Sequence, residues 1–180
     1  RWTFDIPVFE IITPAAEEAA RLSNRQRIGI IGTHSTISRG LYSSAVTGFQ
    51  PKCKVFSKSC PLLVPLVEEG WVSKKETKMI LKKYLYSLKN QQLDTLILGC
   101  THYSLLKQLV QLRIGRNVTL IDPAVEVVKH VKKYLEKNPA MLSADKESQA
   151  KHHYFVTGLT ETTDYVAAQI LKRPTQLQLT

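Results

Sequence analysis

Short apolar runs alternate with stretches of helical spacing along the whole chain. Ile6 to Ile12 reads as a strand, and Thr13-Pro14 then offers an N-cap and a first-turn proline to a short Ala-rich helix. Arg27 to Gly32 is a second apolar run, entering a Thr-His-Ser-Thr turn; a helix over 36–47 and a short strand near Lys54-Val55-Phe56 follow. Two prolines in the stretch Ser57 to Gly70 predict an irregular loop. Ser73-Lys-Lys-Glu76 has the form of a capping box, opening a helix with Leu81, Tyr84, Leu85 and Leu88 on one face. Leu93 to Leu98 is another strand with a helix behind it. Val118 to Ile121 is the next, and Asp122-Pro123 caps a helix that turns Val127, Val128, Val131 and Leu135 inward. Residues 138–151 are polar and read as a surface loop. His153 to Val156 is a last strand, Thr160 to Leu171 a last helix, and the tail from Pro174 is expected to fray.

This alternation predicts an α/β fold, with parallel strands and helices on both faces of the sheet. Ligands in such folds bind beyond the carboxyl ends of the strands. Thr33, Cys100 and Asp122 stand at three of those ends. The stretch around Cys100 is the richest chemically. The apolar run stops at Gly99, and Cys100-Thr-His-Tyr103 brings a thiol, a hydroxyl, an imidazole and a phenol to the strand-to-helix turn. Unpaired N–H groups at a helix start favour a thiolate, so Cys100 is expected to have a lowered pKa. A buried apolar role is the alternative for any free cysteine, and it is the expectation for Cys53 and Cys60, which have no helix start or base nearby. Asp122 reads as a helix cap.

Composition narrows the partners. The 180 residues are 43% hydrophobic and 22% charged, ordinary values for a globular protein, and no apolar run reaches the length of a membrane span. Three cysteines without paired spacing argue against a disulfide framework and for a reducing, cytoplasmic setting. No cysteine–histidine pattern of metal-ligand spacing is present, and neither a P-loop nor a Gly-x-Gly-x-x-Gly turn occurs. The net charge of +10 is concentrated in Lys74, Lys75, Lys78, Lys82 and Lys83, and again in Lys129, Lys132, Lys133 and Lys137. Both sets recur opposite apolar residues, as solvated faces do, so no nucleic-acid partner is expected. The opening Arg1-Trp2-Thr3 lacks an initiator methionine and a signal-like pattern, and reads as a chain beginning in mid-protein.

Several of these stretches together resemble one family. Leu96-Ile-Leu-Gly-Cys-Thr-His-Tyr103 is similar to the carboxy-terminal cysteine motif of glutamate racemases, in the aspartate/glutamate racemase superfamily. Arg27-Ile-Gly-Ile-Ile-Gly-Thr33, with Thr36 and Tyr42, resembles that family's Gly-Thr turn. Cys60-Pro-Leu-Leu-Val-Pro-Leu-Val-Glu-Glu-Gly70 resembles its Cys-Pro-x-x-Val-Pro-x-x-Glu loop, and Phe155-Val-Thr-Gly158 a strand end near its carboxy terminus. Asp5-Ile-Pro-Val8 and Thr13-Pro14-Ala15 extend the likeness over nearly the whole chain.

The resemblance implies a cofactor-free, metal-free enzyme of two similar three-layer α/β lobes, interconverting L- and D-glutamate for peptidoglycan synthesis by means of two opposed cysteines. It implies that Cys100 takes the proton from L-glutamate, that His102 assists the thiol, and that Glu68 orients or tunes the site. Thr33, Thr36 and Thr101 would hydrogen-bond the substrate carboxylates. Thr33 and Thr36 are equally what helix capping selects, and a loop carboxylate such as Glu68 or Glu69 is equally a solvated one. The family's Asp-Ser-Gly opening and the second cysteine, in a Cys-Asn-Thr motif, do not occur in these residues. Ser104 stands where the family commonly has proline, and Arg39 near a common serine. The implied organisation is therefore partial: residues 1–13 end a first-lobe segment, 14–121 form a second lobe carrying Cys100, and 122–180 return to the first lobe. A chain so divided is expected not to racemise glutamate alone and to expose apolar edges that a homodimer or other assembly could cover. Two other readings stay open: a racemase of another acidic amino acid, and a non-catalytic module using its basic faces on an acidic protein or nucleic acid.

Overall fold

The computed structural model describes residues 6–141, 152–173 and 175–180. Strands β1 (Arg27–Gly32), β2 (Lys54–Ser59), β3 (Thr95–Leu98) and β4 (Thr119–Ile121) form one parallel sheet in the order β2-β1-β3-β4. Their side chains alternate between two cores, as strand geometry demands. Ile28, Ile30, Ile97 and Ile121 face Ala15, Ala16 and Ala19 of α1 (Ile12–Leu22) and Tyr42 and Val46 of α3 (Leu41–Phe49). Ile31, Leu96 and Leu98 face the opposite layer of α4 (Leu63–Glu68), α5 (Lys75–Lys89) and α6 (Lys107–Ile114). Burial on both faces explains why the strands read as continuous apolar runs rather than alternating ones. The α/β class with helices on both faces of a parallel sheet is what the alternation predicts.

Several local expectations give way to other solutions. Residues 6–11 form no strand; the chain enters α1 directly, and the orphan N–H groups of Ile12 and Thr13 are satisfied by the Glu10 carboxylate rather than by Thr13. The helix expected over 36–47 is two helices, α2 (His34–Arg39) and α3, separated by Gly40 at φ +64°. Glycine reaches that left-handed conformation at little cost, which lets the chain turn between them. The stretch 57–70 is mostly ordered: β2 runs to Ser59, and α4 tolerates Pro65 near its start, where little intrahelical bonding is lost. The Ser73–Glu76 capping box does not form. Lys74 takes the cap position without a side-chain bond, and Thr77 Oγ1 donates instead to the Trp71 carbonyl at 2.7 Å.

Helix α7 (Pro123–Lys137) starts at Asp122 as expected, but Val128 points outward and is exposed. Edge-on contact of Phe9 with Tyr134 ties α7 to the segment before α1. After a short 3₁₀ turn at Pro139–Met141, the loop expected over 138–151 lies outside the described residues from 142 onward. A second small sheet pairs β5 (Tyr154–Val156) with β6 (Leu177–Leu179) in parallel, across α8 (Glu161–Leu171), which Thr160 and Thr163 open as a capping box. The tail is thus a strand, not a frayed end. Pro174 itself lies outside the described residues. No described helix is long and apolar enough to cross a membrane.

Candidate active site

Because all four strands of the main sheet are parallel, their carboxyl ends meet at one edge. Thr33 follows β1, Cys60 follows β2, Cys100 follows β3 beyond Gly99, and Asp122 follows β4. Gly99 is required for this convergence. Its N–H donates to the Ile31 carbonyl at 2.7 Å, and a Cβ there would come within 2.9 Å of that same oxygen and 3.3 Å of the Tyr42 ring. Gly99→Ala is therefore expected to cost about 1–3 kcal/mol of stability and to push Cys100 out of register. Urea denaturation measures the first effect; slower or faster labelling of the Cys100 thiol measures the second.

Cys100 itself has extended backbone, φ −147° and ψ 135°, and caps a 3₁₀ helix over Thr101–Leu106 that leads into α6. The expected regular helix at this point is a tighter turn. The reason lies in Tyr103, whose fully buried ring sends its hydroxyl to the Cys60 carbonyl at 2.8 Å and anchors the turn to the loop before α4. Next in line are the two groups named with Cys100. His102 Nδ1 stands 3.8 Å from Cys100 Sγ, and His102 Nε2 lies 3.3 Å from a Glu68 carboxylate oxygen at the end of α4. Thiol, imidazole and carboxylate thus form one chain across residues far apart in sequence.

The expected lowering of the Cys100 pKa does not occur. Burial pushes the thiol up; the backbone N–H groups of His102 and Tyr103 pull it back, and the Glu68 charge pushes it up again, leaving a net rise. The helix-start effect is real but smaller than the cost of placing a thiolate in a half-buried site. Burial thus favours the thiol form of Cys100, and a base beside it would offset that cost. The other cysteines behave as apolar residues. Cys60 is fully buried, its thiol pushed up to about 12 by burial, and Cys53 lies before β2, at the opposite edge of the sheet from Cys100.

Thr33 and Thr36 sit together. Thr33 caps α2 by accepting from the Thr36 N–H at 3.3 Å, and the two hydroxyl oxygens are 3.0 Å apart. The Thr36 methyl packs beside Gly99, so this pair borders the Cys100 turn. Thr101 is exposed. With His102 it lines a cavity of about 590 Å³ whose far wall is Gln169, Ile170 and Lys172 of the α8 end. A volume of that order suits a small metabolite. The α8 residues carry no sequence signal for such a place, since the approach of α8 to the 3₁₀ turn is a tertiary matter. Asp122 is the α7 cap, its Oδ1 accepting from the Ala124 N–H at 3.2 Å. Among the described residues no three His, Cys, Asp or Glu side chains cluster as a metal set.

The chain is 40% identical over 155 residues to the glutamate racemase of Geobacter metallireducens, covering 86% of this chain and 57% of that one. It is 38% identical over 176 residues to that of Desulforudis audaxviator, covering 94% and 64%. Among solved structures, a glutamate racemase isoform of Bacillus anthracis superposes with a TM-score of 0.89 at 30% identity, over 99% of this chain and 66% of that one. The Francisella tularensis glutamate racemase, solved with D-glutamate, gives 0.86 at 28% identity, over 98% and 64%. The chain therefore spans roughly 57–64% of the length of these sequence relatives. With residues 1–131 matching the family described as Asp/Glu/Hydantoin racemase, and the fold in agreement, the chain belongs to the aspartate/glutamate/hydantoin racemase family.

Proposed function

We propose that this chain supplies one half of a cofactor-independent glutamate racemase site, with Cys100 as the group that exchanges the proton at the substrate Cα. The observation that carries the reading is the Cys100–His102–Glu68 chain at the carboxyl edge of the sheet. Support for glutamate as substrate comes from the relatives named above, including one solved with D-glutamate.

The chemistry follows from the geometry. His102 accepts the Cys100 proton through Nδ1, giving a thiolate beside an imidazolium that the Glu68 carboxylate stabilises. The thiolate removes the Cα proton of L-glutamate, leaving a carbanion delocalised into the carboxylate. A thiol on the opposite face then protonates that carbon and inverts it. In the reverse direction Cys100 begins as the thiol and donates, a task its raised pKa suits at neutral pH. Thr33, Thr36 and Thr101 offer hydroxyls to the substrate carboxylates. Residues 14–121 then form the lobe that carries Cys100, and 122–180 the return toward a second lobe, which the exposed Val128, Phe155 and Leu179 support as faces awaiting cover. A homodimer is another cover for them. The enzyme's product would serve bacterial peptidoglycan in the cytoplasm, a setting that suits three unpaired cysteines.

The opposing thiol cannot come from these residues: Cys60 is enclosed and Cys53 is at the wrong end of the sheet. The 180-residue chain is accordingly expected to produce no D-glutamate from L-glutamate, while the chain joined to the family's Cys-Asn-Thr segment racemises it. Chiral detection of the product tests both arms, and L-aspartate offered to the joined protein separates a racemase of the other acidic amino acid.

A further inference from the structure

Tyr42, on α3, is 4% exposed, and its hydroxyl has no hydrogen-bond partner among the described residues. A buried hydroxyl left unpaired costs about 1–3 kcal/mol, so phenylalanine would be the more stable residue unless the oxygen meets something. The ring lies against Gly99, which brings the phenol to the underside of the Cys100 turn. There, a small pocket of about 10 Å³ is lined by Tyr42, Cys100, Thr101 and Asp122, with Ile11, Leu98, Pro123 and Ala124 as its apolar walls. That is the size of a single water, and Tyr42, Cys100 and Asp122 among the four polar residues give it the two to four partners a bound water takes.

We propose that Tyr42 is a positioning residue for Cys100, holding one water between its phenol, the Asp122 carboxylate and the Cys100 thiol. The phenol donates to the water oxygen, and the water donates one proton to the Asp122 carboxylate and the other toward Cys100 sulfur. When Cys100 is a thiolate, that second bond stabilises it. Burial and the charges of Glu10, Cys100 and Asp122 push the Tyr42 pKa up to about 12, so the phenol remains a donor over the working pH range. The other titratable groups facing the thiol are Glu68 from α4 and His102 and Tyr103 from the 3₁₀ turn. None of them reaches the thiol through this cavity, whose lining includes none of the three.

The pH dependence of Cys100 alkylation by iodoacetamide, read as the adduct on the Cys100 peptide by mass spectrometry, tests the site without requiring racemase activity. The thiolate is the reactive form, so the midpoint reports its stability. Tyr42→Phe keeps the ring and removes the donor. Its midpoint is expected to rise by about half a pH unit or more, with the melting temperature retained. Coincident midpoints, or a fall, would overturn the proposal. Should the variant fail to fold, a crystal structure of the unaltered chain decides: a water within bonding distance of Tyr42 Oη and Cys100 Sγ is expected, and a phenol bonded to some other protein group would overturn it. The catalytic consequence rests on the reading of Cys100 given above. A shifted midpoint with unchanged racemisation in the joined protein would support the water site and count against Cys100 as the proton-transfer group.

Discussion

Cys100→Ala is expected to lower glutamate racemisation by about 10⁴-fold in a protein that joins this chain to the family's Cys-Asn-Thr segment, the upper end of what one proton-transfer group contributes. The loss should appear in kcat, with KM changed little, because the thiol meets the substrate carbon in the transition state rather than anchoring its carboxylates. Folding should survive. Cys100 is half-buried at the edge of the core, and alanine removes one sulfur atom without stranding a buried polar partner. Exchange of the Cα proton into D₂O is the sharper readout than product formation. If only the opposite thiol remains, it can still label the enantiomer it faces, and D-glutamate should then exchange without inverting while L-glutamate stays unlabelled. Equal labelling of both enantiomers in the variant would contradict the role given to Cys100.

His102→Asn is the second large effect, at about 10²-fold in kcat/KM. The imidazole is 3.8 Å from the Cys100 sulfur and 3.3 Å from the Glu68 carboxylate, placed to take the thiol proton and to be held while charged. Such a base would offset the burial that pushes the Cys100 thiol up. The two enantiomers have equal free energy, so kcat/KM must fall by the same factor from either side. Separate kcat values need not, and the larger fall is expected from L-glutamate, where Cys100 starts as the base. Removing His102 should also move the acid limb of that direction to higher pH, as thiolate formation then waits on bulk pH. A loss confined to KM, with the pH profile unmoved, would assign His102 to substrate binding instead.

The parts of the fold visible in the sequence are those set by local chemistry. Apolar runs identify β1, β3 and β4 because both faces of each strand are buried, and Asp122-Pro123 marks the start of α7 because cap and first-turn proline act within one turn. What local sequence does not reveal depends on distant contacts. Residues 6–11 have strand-like composition but meet no neighbouring strand, and Glu10 claims the helix start from Thr13. Leu177–Leu179 becomes a strand only because Tyr154–Val156 lies beside it. At the site, the Cys-Thr-His-Tyr run points to Cys100 and His102, whereas the meeting with Glu68 needs α4, and α4 is held in place by Tyr103 bonding the Cys60 carbonyl. The direction of the Cys100 pKa was the least visible feature of all. Helix-start donors can be read from a sequence, but the burial that outweighs them belongs to the packed structure.

In the function proposed for it, Cys100 needs an opposing thiol that these residues do not contain. The most direct measurement follows Cα deuteration of L-glutamate by NMR, together with chiral detection of D-glutamate, in D₂O, for the 180-residue chain and for the chain joined to the Cys-Asn-Thr segment. No D-glutamate is expected from the chain alone; inversion with deuterium uptake is expected from the joined protein, and Cys100→Ala removes it. Racemisation by the chain alone, or by the joined Cys100→Ala protein, would contradict that requirement.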